Sequence, residues 1–276
     1  MKKAIKCILR DTSDRFYRYQ DKVLDFTDPE DLHQMRVAGR TLLSYFSLLA
    51  DKEEAARPGF IKLRGSLKDT MSLLGEIRDL DVLIDALKER SMAMEPGQAA
   101  LISGLLSRMT VERVRLRQEL ASEMPNRISP RWKERMDSWI RKKTPELADR
   151  KSIEEKVATL RKKKDKALAA ISEYPEPDMA NEEFLNIVHR GRISVKKLRY
   201  ALAILKKINT ADKAEIEALK TLQDQLGHVQ DMRVWAGLLH EQYGRSAIVE
   251  DIVAQWRAEM NKTLAETGLI SLGPVK

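Results

Sequence analysis

His189, Arg192, Lys196 and Arg199 recur at helical spacing in the stretch VHRGRISVKKLRYALAIL. At about 100° per residue they fall within roughly 80° of one another on a helix. One histidine and three cations then form a narrow stripe, with Lys197 beside it. Ile193, Val195, Leu198, Ala201, Leu202 and Leu205 are left to serve the opposite, core-facing side. The same design occurs earlier in LHQMRVAGRTLLSYFSLL, where His33, Arg36 and Arg40 repeat the spacing of His189, Arg192 and Lys196. Cations on successive helical turns stand about 5–6 Å apart. Such a line suits the binding of an extended anion: the arginines offer forks of N–H donors and the lysines act as mobile point charges. His33 and His189 would either donate to the anion, more strongly as pH falls, or hydrogen-bond a carboxylate and orient the stripe.

The totals agree with this chemistry. The chain has 276 residues, a net charge of +8 and a pI of about 9.4, which favours polyanionic partners: nucleic acid, an anionic membrane or a phosphate polymer. Aromatics are only 5% and charged residues 33%, a balance that suits long helices with solvated faces better than β-sheet. Cys7 is the only cysteine, so no intrachain disulfide and no cysteine zinc site can form, which fits a reducing cytoplasm. Lys6 and Arg10 interrupt any apolar run at the N-terminus, so no signal peptide is expected there. No window approaches the length of apolar sequence that spans a membrane.

The stripes must be positioned by helices, and the periodicity predicts them at about 2–26, 30–50, 59–92 and 97–122. A short helix follows within 126–150, and then helices at about 151–173, 181–208, 213–242 and 245–266. Asp28 before Pro29 reads as a helix start, Asp212 as another, and Pro125 as a stop. The tail after Gly268 is expected to fray. No strand is expected. Arg161-Lys162-Lys163-Lys164 reads as a solvated face. Spacing does not choose among Arg108, Arg113, Arg115 and Arg257 as further lining cations.

A second pair of segments repeats in the same order as the stripes. Leu74-Gly75, Asp79 and Val82 in LLGEIRDLDVL fall on Leu226-Gly227, Asp231 and Val234 in QLGHVQDMRVW, and Lys68 falls on Lys220. Two matched motifs in one order predict an internal duplication, residues 1–145 and 146–276. The expected fold is all-α: two duplicated antiparallel bundles of about four helices each, related by a pseudo-two-fold axis that would bring both stripes to a basic central groove or channel. Lys68 and Lys220 would contribute from a second wall, as would Arg78, whose counterpart is Gln230. Gly75 and Gly227 would clear space where helices cross or where a ligand passes close. Asp79 and Asp231 repel an anion, so they are expected to position arginine or histidine side chains.

HxxRxxxR on one helix, LGxxRDxDV on the next, then HxxRxxxKKLRY and LQDxLGxxxD together resemble the CHAD family, the conserved histidine α-helical domain. The resemblance covers nearly the whole chain. It implies two helical bundles around a basic cavity that binds inorganic polyphosphate. The expected module is non-catalytic, needs no cofactor and works in the cytoplasm, on polyphosphate granules or beside polyphosphate-metabolising enzymes. Some relatives carry a triphosphate-tunnel domain with an ExExK signature; none is present here, so a stand-alone domain is expected. Arg40 is followed by Thr41, and Leu43 stands where Arg199 stands in the second half, so the first stripe is expected to bind more weakly.

Three rival functions are weaker, one of them a purely structural or protein-interaction role, which predicts that neutralising the stripe leaves function intact. Asp79-Leu80-Asp81-Val82 has the DxDxV look of an aspartate-dependent phosphohydrolase, but that chemistry needs a strand leading into the motif. A metal site built from His33, His189, Asp79 and Asp231 would meet repulsion from the surrounding cations. General polyanion or nucleic-acid binding is permitted by charge, yet the stripes carry no interleaved aromatics for base stacking.

Overall fold

In a computed structural model the chain is described over residues 1–207 and 211–271, and among these it is all-α. Eleven helices are described: α1 (Lys2–Asp25), α2 (Pro29–Leu49), α3 (Lys52–Ala56), α4 (Pro58–Ser91), α5 (Pro96–Arg127), α6 (Pro130–Lys142), α7 (Thr144–Leu147), α8 (Arg150–Ser172), α9 (Glu182–Lys206), α10 (Lys213–Tyr243) and α11 (Ala247–Glu266). No helix is long and apolar enough to cross a membrane among the described residues.

The long helices start and stop where local chemistry dictates. The Asp28 carboxylate accepts from the Glu30 N–H at 2.8 Å, with Pro29 opening α2. Asp212 does the same for α10, which Gly244 ends with φ 66°. Asn181 caps α9 by accepting from Glu183 and Phe184 N–H, and its amide donates to the Tyr174 hydroxyl at 3.1 Å. Two expectations need correction. The short helix α3 was not expected; its start is a local cap, with Asp51 accepting from the Glu54 N–H at 2.7 Å. Pro125 does not stop α5, which runs on to Arg127. Met124 and Ile128 on either side of it are fully buried, and their anchoring outweighs the one N–H that the proline lacks. The expected end of the 181–208 helix and most of the expected frayed tail lie outside the described residues.

The chain forms two compact units. One comprises residues 1–84, 109–157 and 204–210; the other comprises 85–108, 158–203 and 211–276. Each unit is thus assembled from three chain segments, a different partition from the halves 1–145 and 146–276.

In the first unit, Ile5, Leu9, Phe16 and Val23 of α1 are buried, as are Leu32, Met35, Leu42, Tyr45 and Phe46 of α2. Gly39 permits the close approach of α1, α2 and α4: a Cβ there would stand 2.2 Å from the Met71 Sδ and 3.0 Å from Phe16. Phe46, Phe60 and Trp139 form a ring cluster with centroids 5.0–5.6 Å apart. Trp139 donates to the buried Glu54 carboxylate at 2.9 Å, and Trp132 donates to the Leu63 carbonyl at 3.0 Å. Lys156 donates to the carbonyls of Leu48 and Ala50, both at 2.8 Å, closing the end of α2.

Tyr45 is fully buried, and among the described residues its hydroxyl has no hydrogen-bond partner. Burial pushes its pKa well above the ordinary tyrosine value. An unsatisfied buried hydroxyl costs about 1–3 kcal/mol. Tyr45→Phe is therefore expected to raise the urea midpoint and Tm, by up to about 1 kcal/mol after the lost packing of the oxygen.

In the second unit, Phe184, Val195, Leu198 and Leu202 of α9, Leu226, Met232 and Trp235 of α10, and Val249, Trp256 and Met260 of α11 are buried. The Trp235 and Trp256 rings meet edge to face at 5.6 Å. Arg90 lies 5.1 Å from the Trp235 ring and forks onto Glu259 at 2.9 and 2.6 Å; His228 reaches the same carboxylate at 2.7 Å. The Arg90 fork first, and His228 with it, holds the Glu259 carboxyl down at about 2, against an ordinary 4.5. A carboxyl depressed by folding adds stability above its unfolded value and loses it as pH falls toward its folded value. Between pH 4.5 and 2 the wild-type urea midpoint is thus expected to fall more steeply than that of Glu259→Gln.

Candidate functional site

Each stripe occupies one helix and is braced by the next long helix of its own unit. On α2, His33 is exposed, Arg40 is half-buried and Arg36 is buried, with its Nη2 3.4 Å from Asp79 Oδ1 on α4. The Arg36 side chain is 6% exposed and that of Asp79 72%, so the carboxylate meets the guanidinium from the solvent side. Gly75, one turn before Asp79, leaves the room Arg36 needs: a Cβ there would stand 3.0 Å from its Nη1. Lys68 is exposed on α4 and Arg78 is half-buried. Gly75→Val is expected to push the Arg36 guanidinium off its seat and weaken anion binding several-fold with little loss of helicity, checked by a binding titration alongside circular dichroism.

The α9 stripe is braced differently. His189 Nδ1 lies 2.8 Å from Gln230 Oε1 on α10, and Arg199 Nε donates to Gln223 Oε1 at 2.8 Å. Arg199 also stands 4.8 Å from the Tyr200 ring. Arg192 is half-buried, and among the described residues its Nε is buried without a hydrogen-bond partner. Gly227 repeats the Gly75 relation more loosely, its Cβ position lying 3.9 Å from Arg192 Nε. Lys196 and Asp231 are half-buried, while Lys197 and Lys220 are exposed.

The Nδ1–H tautomer that donates to Gln230 leaves His189 Nε2 for another partner. In the first copy Arg78 replaces this glutamine and His33 is exposed. Gln223, Gly227 and Gln230 are spaced i, i+4 and i+7, one face of α10. That spacing is the signal by which the two glutamines could have been found from sequence; the cations alone did not point to them.

The cations that spacing could not rank are engaged by carboxylates. Arg108 pairs with Glu241, and Arg115 bridges Glu112 at 2.7 Å and Glu119 at 3.0 Å. Arg257 stands 3.8 Å from Glu250. Arg113 and Arg117 converge on buried Asp81 at 3.2 and 3.5 Å. Burial, with the charge of Arg113, draws the Arg117 pKa down, while Asp81 opposes the shift. Arg161 forks onto Glu215, and Lys164 reaches Asp165 at 2.6 Å. Asp79-Leu80-Asp81-Val82 lies wholly within α4, so no strand leads into it.

The chain is thus all-α among its described residues, with a cationic stripe and a glycine-bearing brace helix in each unit. The CHAD domain profile matches residues 7–240, and the chain belongs to the CHAD domain family. The crystal structure of the CHAD domain from the plant Ricinus communis superposes with a TM-score of 0.66 at 24% identity, covering 98% of this chain and 89% of that one. PptA from Streptomyces chartreusis superposes with a TM-score of 0.61 at 17% identity, covering 97% of this chain and 98% of that one. No curated protein sequence matches the chain.

Proposed function

We propose that this domain binds inorganic polyphosphate through its histidine-led stripes, without turning the polymer over. The observation that carries the reading is the neutrality of the α9 braces. Arg199 and His189 are held by glutamines, and Arg192 Nε has no partner among the described residues. Neutral braces fix the direction of a cation while leaving its charge to an external anion. Arg108, Arg113, Arg115 and Arg161, by contrast, face carboxylates.

Polyphosphate is charged along its length and has no base edges, so a row of directed cations meets its needs. Membership of the CHAD family, whose resemblance implies the same ligand, supports the reading. The first stripe is the weaker of the two: Arg36 is already engaged by Asp79, and no cation stands at the position of Leu43. Association with polyphosphate granules or with enzymes of polyphosphate metabolism in the cytoplasm follows from the same proposal.

The test is equilibrium binding of long-chain polyphosphate against single-stranded and duplex DNA of equal charge, at about 0.15 M salt where surface attraction is screened within about 8 Å. Tighter binding of polyphosphate, with no growth of phosphate end groups on incubation, is expected. Equal affinity for all three would reduce the stripes to a general electrostatic surface. Binding to none would overturn the proposal.

A further inference from the structure

A second cationic cluster lies away from the stripes, in the first unit. Ile8, Asp11, Thr12, Arg15 and Arg18 share one face of α1 and, with Lys207 just past the end of α9, line an open cavity of about 490 Å³. Three cations face one carboxylate. Among the described residues no ion pair engages Arg15, Arg18 or Lys207, and the Arg15 Nε is buried without a hydrogen-bond partner. The Lys207 ammonium is drawn below the ordinary lysine value, first by burial and then by the charge of Arg15. Like charges gathered at one site repel one another, and an anion between them lowers that repulsion.

We propose that this groove is a binding site for a short condensed phosphate, of the size of pyrophosphate or tripolyphosphate. The class follows from the lining. Arg15 and Arg18 stand one turn apart, about 5–6 Å between Cβ atoms, and offer forked donors that match phosphoryl oxygens. A single orthophosphate would occupy little of the groove. Among the described residues no aromatic lines it to stack a base, which favours the inorganic anion over a nucleotide. Thr12 donates its hydroxyl to the Ile8 carbonyl at 2.7 Å, so among the described lining residues the side-chain donors available to the anion are the three cations. Asp11 repels the anion and sets the limit of the site one turn before Arg15. The site does not depend on the stripes.

Calorimetric titration of the full chain with tripolyphosphate, at about 0.15 M salt, is the test. Saturable binding is expected, tenfold or more weaker in R15Q/K207Q and kept within about twofold in K162Q/K163Q, which removes the same charge from the exposed face of α8. Asp11→Asn is expected to tighten it about threefold. The unliganded R15Q/K207Q protein is expected to melt no lower than wild type, since two repelling cations are gone. The proposal is overturned by absence of tripolyphosphate binding in wild type, by R15Q/K207Q binding as tightly as wild type, by an equal loss in K162Q/K163Q, or by a lower melting temperature of R15Q/K207Q, which would make Arg15 structural. Citrate bound as tightly as tripolyphosphate would overturn the phosphate class, and ATP bound more tightly would overturn the inorganic one. Failure of long-chain polyphosphate to bind, with tripolyphosphate binding intact, would sink the stripe reading and leave this one standing.

Discussion

Replacing Arg40, Arg192, Lys196 and Arg199 together by glutamine is expected to weaken long-chain polyphosphate binding several-hundred-fold. A cation facing an anionic surface contributes about 1 kcal/mol. Four such contributions approach three decades, at 1.4 kcal/mol per decade. The salt dependence of binding should flatten as well, because fewer counterions are released from the polymer. Arg36 is left in place because it is buried against Asp79, and its loss would confound folding with binding. The control removes the same charge elsewhere: Lys151, Lys162, Lys163 and Lys166, all exposed on α8, changed to glutamine. If affinity depends on net charge alone, both variants lose equally and the stripes have no special role. If directed cations matter, the α8 variant stays within a few-fold of wild type. Gln230→Leu tests the brace itself: His189 would lose its fixed direction without any change of charge, and a modest loss of affinity is expected.

The second large effect is on stability. Trp139→Ala is expected to cost about 3–5 kcal/mol, the usual range for deleting a large buried ring. Trp139 sits against Phe46 and Phe60 at 5.0 and 5.6 Å and carries the hydrogen bond to Glu54, a carboxylate with only 6% of its side chain exposed. Removing the indole opens a cavity among α2, α4 and α6. It also leaves Glu54 with Arg57, at 3.2 Å, as its remaining charge partner. A fall in Tm of about 10 °C or more follows. Trp139→Phe separates the two parts, since it keeps most of the ring packing and removes only the N–H donor. If Trp139→Ala melted within a degree or two of wild type, the aromatic cluster would not be holding α6 in place.

Most of the helices were legible in the sequence because their causes are local. Apolar residues at helical spacing, Asp28 before Pro29, Asp212 before Lys213 and Gly244 after Tyr243 act within a turn or two of chain, so a linear reading reaches them. Of the two misreadings, α3 rests on a local cap from Asp51, and the other is tertiary in origin. Pro125 looks like a stop, but Met124 and Ile128 are drawn into the core around it and the helix continues.

The candidate site divides along the same line. That His189, Arg192, Lys196 and Arg199 share a stripe is a property of one helix, fixed by 3.6 residues per turn. Which cations are left for a ligand is not. Arg36 is engaged by Asp79, Arg113 by Asp81 and Arg90 by Glu259, each on a helix brought alongside by packing. Arg199 and His189 meet glutamines instead, and Lys207 meets the α1 face more than a hundred residues away in the chain. Helical spacing sets the angle of a side chain about its own axis, and the partner it meets is decided by the neighbouring helix. The sequence by itself therefore determined an all-α chain with two cationic stripes, and the tertiary structure alone decided which cations face carboxylates and which face glutamines.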